Sequence, residues 1–95
     1  MILHLALAAD WHDAGDHYRI STLGHTLDDI GFIHCSHDER QLRTVAATFY
    51  ADVTEPLLVL EIDATGLDVR EENGFPHLYG PLPRTAVTRT RPYTP

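Results

Sequence analysis

The hydrophobic positions of the chain predict several short strands. Residues 1–9, MILHLALAA, are apolar except for His4 and predict a buried first strand. Residues 56–63, PLLVLEID, predict a second buried strand that ends in the turn DATG. The segments at 67–72, LDVREE, and 85–91, TAVTRTR, alternate apolar and polar residues and predict half-buried strands.

Three helical segments are predicted in the first half of the chain. Asp10 is a candidate N-cap for a turn through WHDAGDHY, and Ser21 is a candidate N-cap for STLGHTLDDI, which ends at the following glycine. A third helix is predicted over about residues 37–51, where apolar residues follow helical spacing. Ser36 precedes it and Glu39 follows three residues later, which is the pattern of a capping box.

The remaining segments complete an α+β order. FIHC, at 32–35, predicts a short strand, and NGFPHLYGPLP, at 73–83, predicts a stiff loop because it is dense in glycine and proline. The predicted order is β-α-α-β-α-β-β-β. Helices gathered early and strands gathered late predict a compact α+β domain over residues 1–95 rather than an alternating parallel fold.

Composition and charge narrow the classes of function. The chain has 95 residues and a formal net charge of −7, and such a charge disfavours a nucleic-acid partner. No apolar run approaches the ~20 residues of a membrane span, and no signal-peptide pattern opens the sequence, so no membrane association is expected. A single cysteine excludes an internal disulfide bond, and a cytoplasmic location is expected.

The segment GFIHCSHDERQ, at 31–41, concentrates several reactive side chains. His34 and Cys35 point to opposite faces of a strand, and the sequence holds no second pair of ligands, so no metal site is expected. A nucleophilic Cys35 is an alternative because it lies just before a predicted helix. A lone cysteine in a strand more often fills the core.

Polar side chains interrupt apolar segments at five places. They are His4, His34, Glu72, His77 and Tyr79. Polar residues on one inner face of a sheet are suited to building a ligand pocket, although buried polar groups can also be purely structural. We expect the imidazoles of His4, His34 and His77 to converge on one cavity. Ser36 and the amides of the helix start are expected to form an anion-binding corner at its edge.

The motifs GFIHCS and FPHLYGPLPRTAV, together with LLVLEID and VREE, resemble the family of small bacterial proteins called domain of unknown function 952. This resemblance implies an ADP-ribosyltransferase-like fold, a compact split β-sheet that cradles NAD. In one branch of that superfamily a first-strand histidine holds a ribose, a tyrosine stacks on nicotinamide, and a late glutamate stabilises the transition state. The residues in matching order are His4, Tyr18 and Glu72. Strand alternation alone turns Glu71 inward, so a bulge is expected to turn Glu72 towards the site.

Two predictions of function follow for this pocket. The first is a small-ligand protein acting on NAD or an ADP-ribose-like ligand, with Glu72 and His34 as candidate catalytic residues. Its candidate ligand-binding residues are His4, Tyr18, Ser36, His77 and Tyr79. The alternative is an accessory or tailoring protein of a metabolic pathway that binds another small molecule without NAD. A plain interaction module, whose polar residues are structural, is a third possibility.

Overall fold

Short strands make up most of the regular structure, which a computed structural model describes for all residues, Met1–Pro95. The strands are β1 (Ile2–Leu7), β2 (His17–Tyr18), β3 (Ile20–Thr22), β4 (His25–Thr26), β5 (Ile33–His34), β6 (Leu57–Ile62), β7 (Val69–Glu72), β8 (Phe75–Leu78), β9 (Leu82–Pro83) and β10 (Val87–Pro92). The helices are α1 (Ala8–Asp13), α2 (Leu27–Ile30) and α3 (Glu39–Phe49), with a 3₁₀ turn at Arg84–Ala86. The predicted α+β class is confirmed. No helix here combines the length and the apolar character that crossing a bilayer requires.

Two antiparallel sheets of three strands form the body of the fold. One has the strand order β1-β6-β10, and the other has the order β5-β8-β7. Backbone hydrogen bonds of 2.8 and 2.7 Å between Leu3 and Ser36 join β1 to the residues that follow β5. This bridge links the two sheets, and the two-stranded ladders β2-β9 and β3-β4 complete the strand pairing.

The central strand β6 divides the core into two clusters. Leu60 and Ile62 are fully buried in a cluster that also holds Tyr18 and Cys35. Val59 points to the other face and is buried in a second cluster with Leu42, Val45 and Ala46 of α3. The alternation of side chains along a strand explains this division. The helical spacing predicted for α3 is confirmed by the residues that it buries.

The predicted helix beginning at Ser21 is wrong. Residues 20–26 form the hairpin of β3 and β4, and Gly24 supplies the left-handed backbone of its turn with φ of 76°. Ser21 is fully buried inside this hairpin. Only the last turn of the expected segment is helical: α2 begins after Thr26, whose hydroxyl and the Asp29 carboxylate form a capping box. β-branched residues around the turn favour the extended backbone.

Two other predicted caps lie elsewhere. Helix α1 begins at Ala8 without a side-chain cap, and Asp10 lies within its first turn. Ser36 does not cap α3, because the helix begins only at Glu39, and the backbone N–H and C=O of Ser36 are both bonded to Leu3. The cap is Asp38, whose carboxylate accepts a hydrogen bond of 2.9 Å from the amide of Gln41.

The segment predicted as a stiff loop contains two strands, β8 and β9. Asn73 and Gly74 both have positive φ, of 54° and 82°, and form the tight turn between β7 and β8. Pro76 lies in the central strand of its sheet, an unusual place for proline. Proline has no backbone N–H, and this is tolerated here because the short ladder with β5 ends beside Pro76. The carbonyl of Pro76 still accepts a hydrogen bond of 3.0 Å from the amide of Cys35.

Candidate functional site

A groove between α3 and the β5-β8-β7 sheet is the candidate functional site. Its volume is about 350 Å³. The sheet wall of the groove consists of Phe32, His34, Phe75 and His77, and the helix wall includes Thr48 and Phe49. Aromatic and imidazole rings therefore face a helix that offers smaller side chains and one exposed phenyl ring.

Four rings form the sheet wall because each histidine lies two residues after a phenylalanine. Residues two apart on a strand share a face, so the two Phe-x-His segments present their rings to the same groove. The ring of Phe32 stacks on His77 with centroids 3.8 Å apart and planes 8° from parallel. The ring of His34 lies 4.8 Å from that of Phe75 and 5.4 Å from that of His77.

Glu72 lies at the edge of this wall and holds His77 in place. Residue Glu72 pairs with Phe75 across the β7-β8 ladder, so its side chain shares the face of the groove. Its Oε1 atom accepts a hydrogen bond of 2.8 Å from Nδ1 of His77 and another from the hydroxyl of Tyr79. The bonds from Tyr79 and then His77 hold the pKa of Glu72 below its ordinary value. The carboxylate is therefore ionised.

Glu72 reaches the site without the expected bulge. The β7-β8 register is continuous from Val69 to Glu72, and strand alternation places Glu71 on the opposite face. There Glu71 is bonded to Nε2 of His37 at 2.7 Å, in an exposed position. Glu72 faces the groove because the groove lies on the face opposite to the Val69 side chain, which packs against the core.

His34 contributes an uncharged imidazole to the groove. Partial burial, and next the neighbouring His77, lower the pKa of His34 below its ordinary value of 6.5. No hydrogen bond within the chain involves its ring nitrogens, in contrast to the rings of His4 and His77. The His34 ring is thus available to a bound molecule at neutral pH.

His4 lies behind the groove, where it is 2% exposed. Its Nδ1 is 2.7 Å from the carbonyl oxygen of His34, and its Nε2 is 2.9 Å from the hydroxyl of Tyr18. A carbonyl can only accept, so Nδ1 carries the proton and the Tyr18 hydroxyl donates to Nε2. Burial lowers the pKa of His4 to about 4 and raises the pKa of Tyr18. The pair is therefore neutral and buried.

The expected convergence of three imidazoles is wrong for His4. The groove receives the rings of His34 and His77 only. The side chain of His34 points away from the face that Ile33 and Cys35 present to the core. His4 instead contacts the carbonyl group of His34 and so supports the backbone of β5 from the core side.

The structure therefore divides the predicted site residues into two groups. His34 and His77 line the groove, and Glu72 lies at its edge with hydrogen bonds from both His77 and Tyr79. The others, His4, Tyr18 and Ser36, are buried outside it, and no hydrogen bond links the His4–Tyr18 pair to Glu72. The family resemblance implied a site made of His4, Tyr18 and Glu72. In the structure these three residues do not form one hydrogen-bonded group.

The structure does not favour the anion-binding corner expected at the start of α3. The amide of His37 is bonded to Oε1 of Gln41 at 2.8 Å, and the amide of Gln41 is bonded to the Asp38 carboxylate. Two of the amides that would receive an anion thus already have partners, and one partner is itself negative. Ser36 is 2% exposed and fixed by the bridge to Leu3.

Sequence reasoning found only part of the aromatic half of the site. The segment at 73–83, which contains Phe75, is suited to forming a pocket wall with a stacking face, but neither Phe32 nor Phe49 is indicated as a site residue. The signal that could have identified Phe32 is the Phe-x-His pattern that it shares with Phe75. Nothing in the sequence indicates that α3 passes over these rings, because that contact depends on the packing of the two sheets.

Cys35 is a core residue, and its thiol is expected to be unreactive in the folded protein. It is 1% exposed, and burial raises its pKa to about 12. Iodoacetamide at pH 8 should leave the folded protein unmodified while alkylating the urea-unfolded chain fully. Cys35→Ser should cost about 1–3 kcal/mol of unfolding free energy through an ill-satisfied hydroxyl. Rapid alkylation of the folded protein would restore the nucleophile hypothesis.

Comparisons with known proteins cover most of the chain. Residues 5–90 match the family described as "Protein of unknown function (DUF952)". The crystal structure of protein CC0527 from Caulobacter crescentus has a TM-score of 0.78 and 29% identity, over 96% of this chain and 83% of that one. A variant of the same protein with two substitutions to methionine has a TM-score of 0.76 and 28% identity over the same shares. No curated protein matches the chain.

Proposed function

The chain belongs to the DUF952 family of proteins of unknown function, and we propose that it binds a small, flat organic molecule in the groove beneath α3. The volume of about 350 Å³ is near the lower end of the range for small-molecule sites. A single ring or a fused pair of rings suits such a space.

The observation that carries this proposal is the wall of four rings. The Phe32–His77 stack and the neighbouring His34 and Phe75 rings offer flat faces to a ligand. Stacking on such faces is favourable for an aromatic ligand, and the imidazole nitrogens add directional hydrogen bonds. Because Glu72 holds the Nδ1 side of His77, the ring has a fixed orientation before any ligand arrives.

A second cavity lacks this combination. It has a volume of about 310 Å³ and lies between the end of α3 and the C-terminal residues Tyr93 and Pro95. Seven of its nine lining residues are hydrophobic, and Arg43 has its one charged side chain. It brings no set of polar groups to one point, so the groove beneath α3 is the better candidate.

The resemblance to ADP-ribosyltransferases makes NAD the first ligand to test. The groove has room for a nicotinamide ring, whereas the remainder of a dinucleotide would extend beyond it. In this arrangement His34 and Glu72 are near the ligand, while His4 and Tyr18 act as buried supports. The alternative proposal, an accessory or tailoring protein without NAD, uses the same groove for another heterocycle.

A ligand screen tests this function directly. We expect nicotinamide, NAD or a heteroaromatic fragment to shift backbone amide resonances of β5, β8 and α3, and to stabilise the fold. A ligand at 100 times its Kd adds about 2.7 kcal/mol to the unfolding free energy. His34→Ala should weaken binding about tenfold, or ~1.4 kcal/mol, because it removes one ring of the wall.

The matched control is His12→Ala, an exposed histidine of α1 outside the groove. This variant should bind as the parent does. Shifts confined to the cavity beside Tyr93, or binding that is unchanged by His34→Ala, would contradict the proposed site.

A further inference from the structure

We infer that the groove prefers a positively charged flat ring, such as an N-alkylated pyridinium, over a neutral ring of the same shape. This inference rests on the proposed ligand-binding function of the groove and adds the chemical class of its ligand. It follows from the placement of charge and of aromatic faces around the site.

Glu72 supplies a carboxylate oxygen without a partner. Both hydrogen bonds to this side chain, from His77 and Tyr79, end on Oε1. The other oxygen, Oε2, accepts no hydrogen bond from the chain. The side chain is 40% exposed and shares the strand face of Phe75. An ionised carboxylate therefore lies at the groove edge with Oε2 open, since its direct partners in the chain, His77 and Tyr79, both contact Oε1.

No permanent cation opposes this charge within the groove. None of the nine lining residues is lysine or arginine. The arginine on the same strand face as Glu72 is Arg70, which forms an ion pair of 3.0 Å with Asp68. Its guanidinium also lies 4.1 Å from the ring centroid of Tyr79. Arg70 is thus already partnered by a carboxylate and an aromatic face, and its charge is the smallest of the causes that lower the pKa of Glu72.

The aromatic walls add to the preference for a cation. The faces of phenyl rings carry partial negative charge and attract cations within about 6 Å, most strongly when water is excluded. Phe32 and Phe75 lie in the sheet wall. A neutral ring gains stacking and hydrogen bonds in this groove, whereas a cationic ring of the same shape gains in addition attraction to the ring faces and to Glu72.

A pair of probes of equal shape tests the inference. 1-Methylnicotinamide carries a ring nitrogen cation, and 3-methylbenzamide has the same outline with a carbon in that position. Calorimetric titration at pH 8 and low salt should show at least tenfold tighter binding of the cation. In wild type the discrimination should shrink at high salt, because the Glu72 side chain is partly exposed.

Two variants separate the effect of the Glu72 charge from an effect of the substitution on folding. Glu72→Gln retains the shape of the side chain and should bring the two affinities close to each other. Glu71→Gln, a neighbouring carboxylate on the opposite strand face, should preserve the discrimination. Equal binding of both probes by the wild type overturns the charge preference while the proposed function stands. Failure of both probes to bind overturns the inference, whereas a neutral fragment whose binding depends on His34 would still support the proposed function.

Discussion

Acidification from pH 7 to pH 4 is expected to remove up to about 3 kcal/mol of unfolding free energy through His4. Burial lowers the pKa of this imidazole from 6.5 to about 4 in the folded protein. Between these values the unfolded chain binds a proton at His4 that the folded chain does not bind. Stability therefore rises with pH through this window: the contribution is complete above pH 6.5 and is lost below pH 4.

Urea unfolding from pH 4 to pH 8 measures this effect. His4→Asn removes the titrating group while an amide N–H stays near the carbonyl of His34. The number of protons that the chain takes up on unfolding should therefore fall by roughly one between pH 4.5 and 6. The lowered pKa of His34 acts in the same direction, so the difference between variant and parent is the quantity to compare. His12→Asn, at an exposed position, should keep the parental slope. An unchanged slope in His4→Asn would show that His4 is not held neutral by burial.

The correctly predicted elements are those that the rest of the protein covers on one face or on both faces. In α3, Leu42, Val45 and Ala46 recur on one face because one sheet lies beneath them. In β1 and β6, almost every residue is apolar because both faces are covered. These patterns need no knowledge of the partner element, and the sequence alone was enough to find them.

The elements predicted wrongly depend on turns. Gly24 and the pair Asn73 and Gly74 have positive φ and create hairpins in segments that were interpreted as a helix and a loop. Asparagine followed by glycine is a recognised hairpin signal, whereas the density of glycine and proline in this segment predicts a loop. Pro76 is compatible with a strand only because the ladder to β5 ends beside it, which the sequence does not reveal.

Only part of the candidate site is predictable from the sequence, because the alternation of side chains along a strand shows which residues share a face but not which face lines a groove. The alternation places His34 on the face opposite to Ile33 and Cys35, and the groove on that face becomes visible only in the structure. His4 lies on a strand that is buried on both faces, so its polarity predicts a hydrogen-bond partner without indicating a pocket. The structure supplies that partner as the Tyr18 hydroxyl.

The largest effect of a single substitution is expected for Leu60→Ala in β6. Leu60 is fully buried in the cluster that contains Tyr18, and truncation leaves a cavity that its neighbours fill only in part. The cost should be about 2–5 kcal/mol, a large share of the stability of a domain of this size. Urea unfolding measures it, with Ile30→Ala as the control, since Ile30 is 40% exposed and should change stability far less.

The neighbouring residue Val59 makes the same experiment informative about the groove. Val59 is equally buried, but it belongs to the cluster of Val45, a residue of the helix wall. At low temperature, where both variants stay folded, Leu60→Ala should leave ligand affinity near the parental value, because its cavity opens behind the sheet. Val59→Ala should lower the affinity by loosening α3 over the rings. If Leu60→Ala weakened binding as much as Val59→Ala, the groove would depend on both clusters, and the separation of the buried His4–Tyr18 side from the ligand-binding side would have to be abandoned.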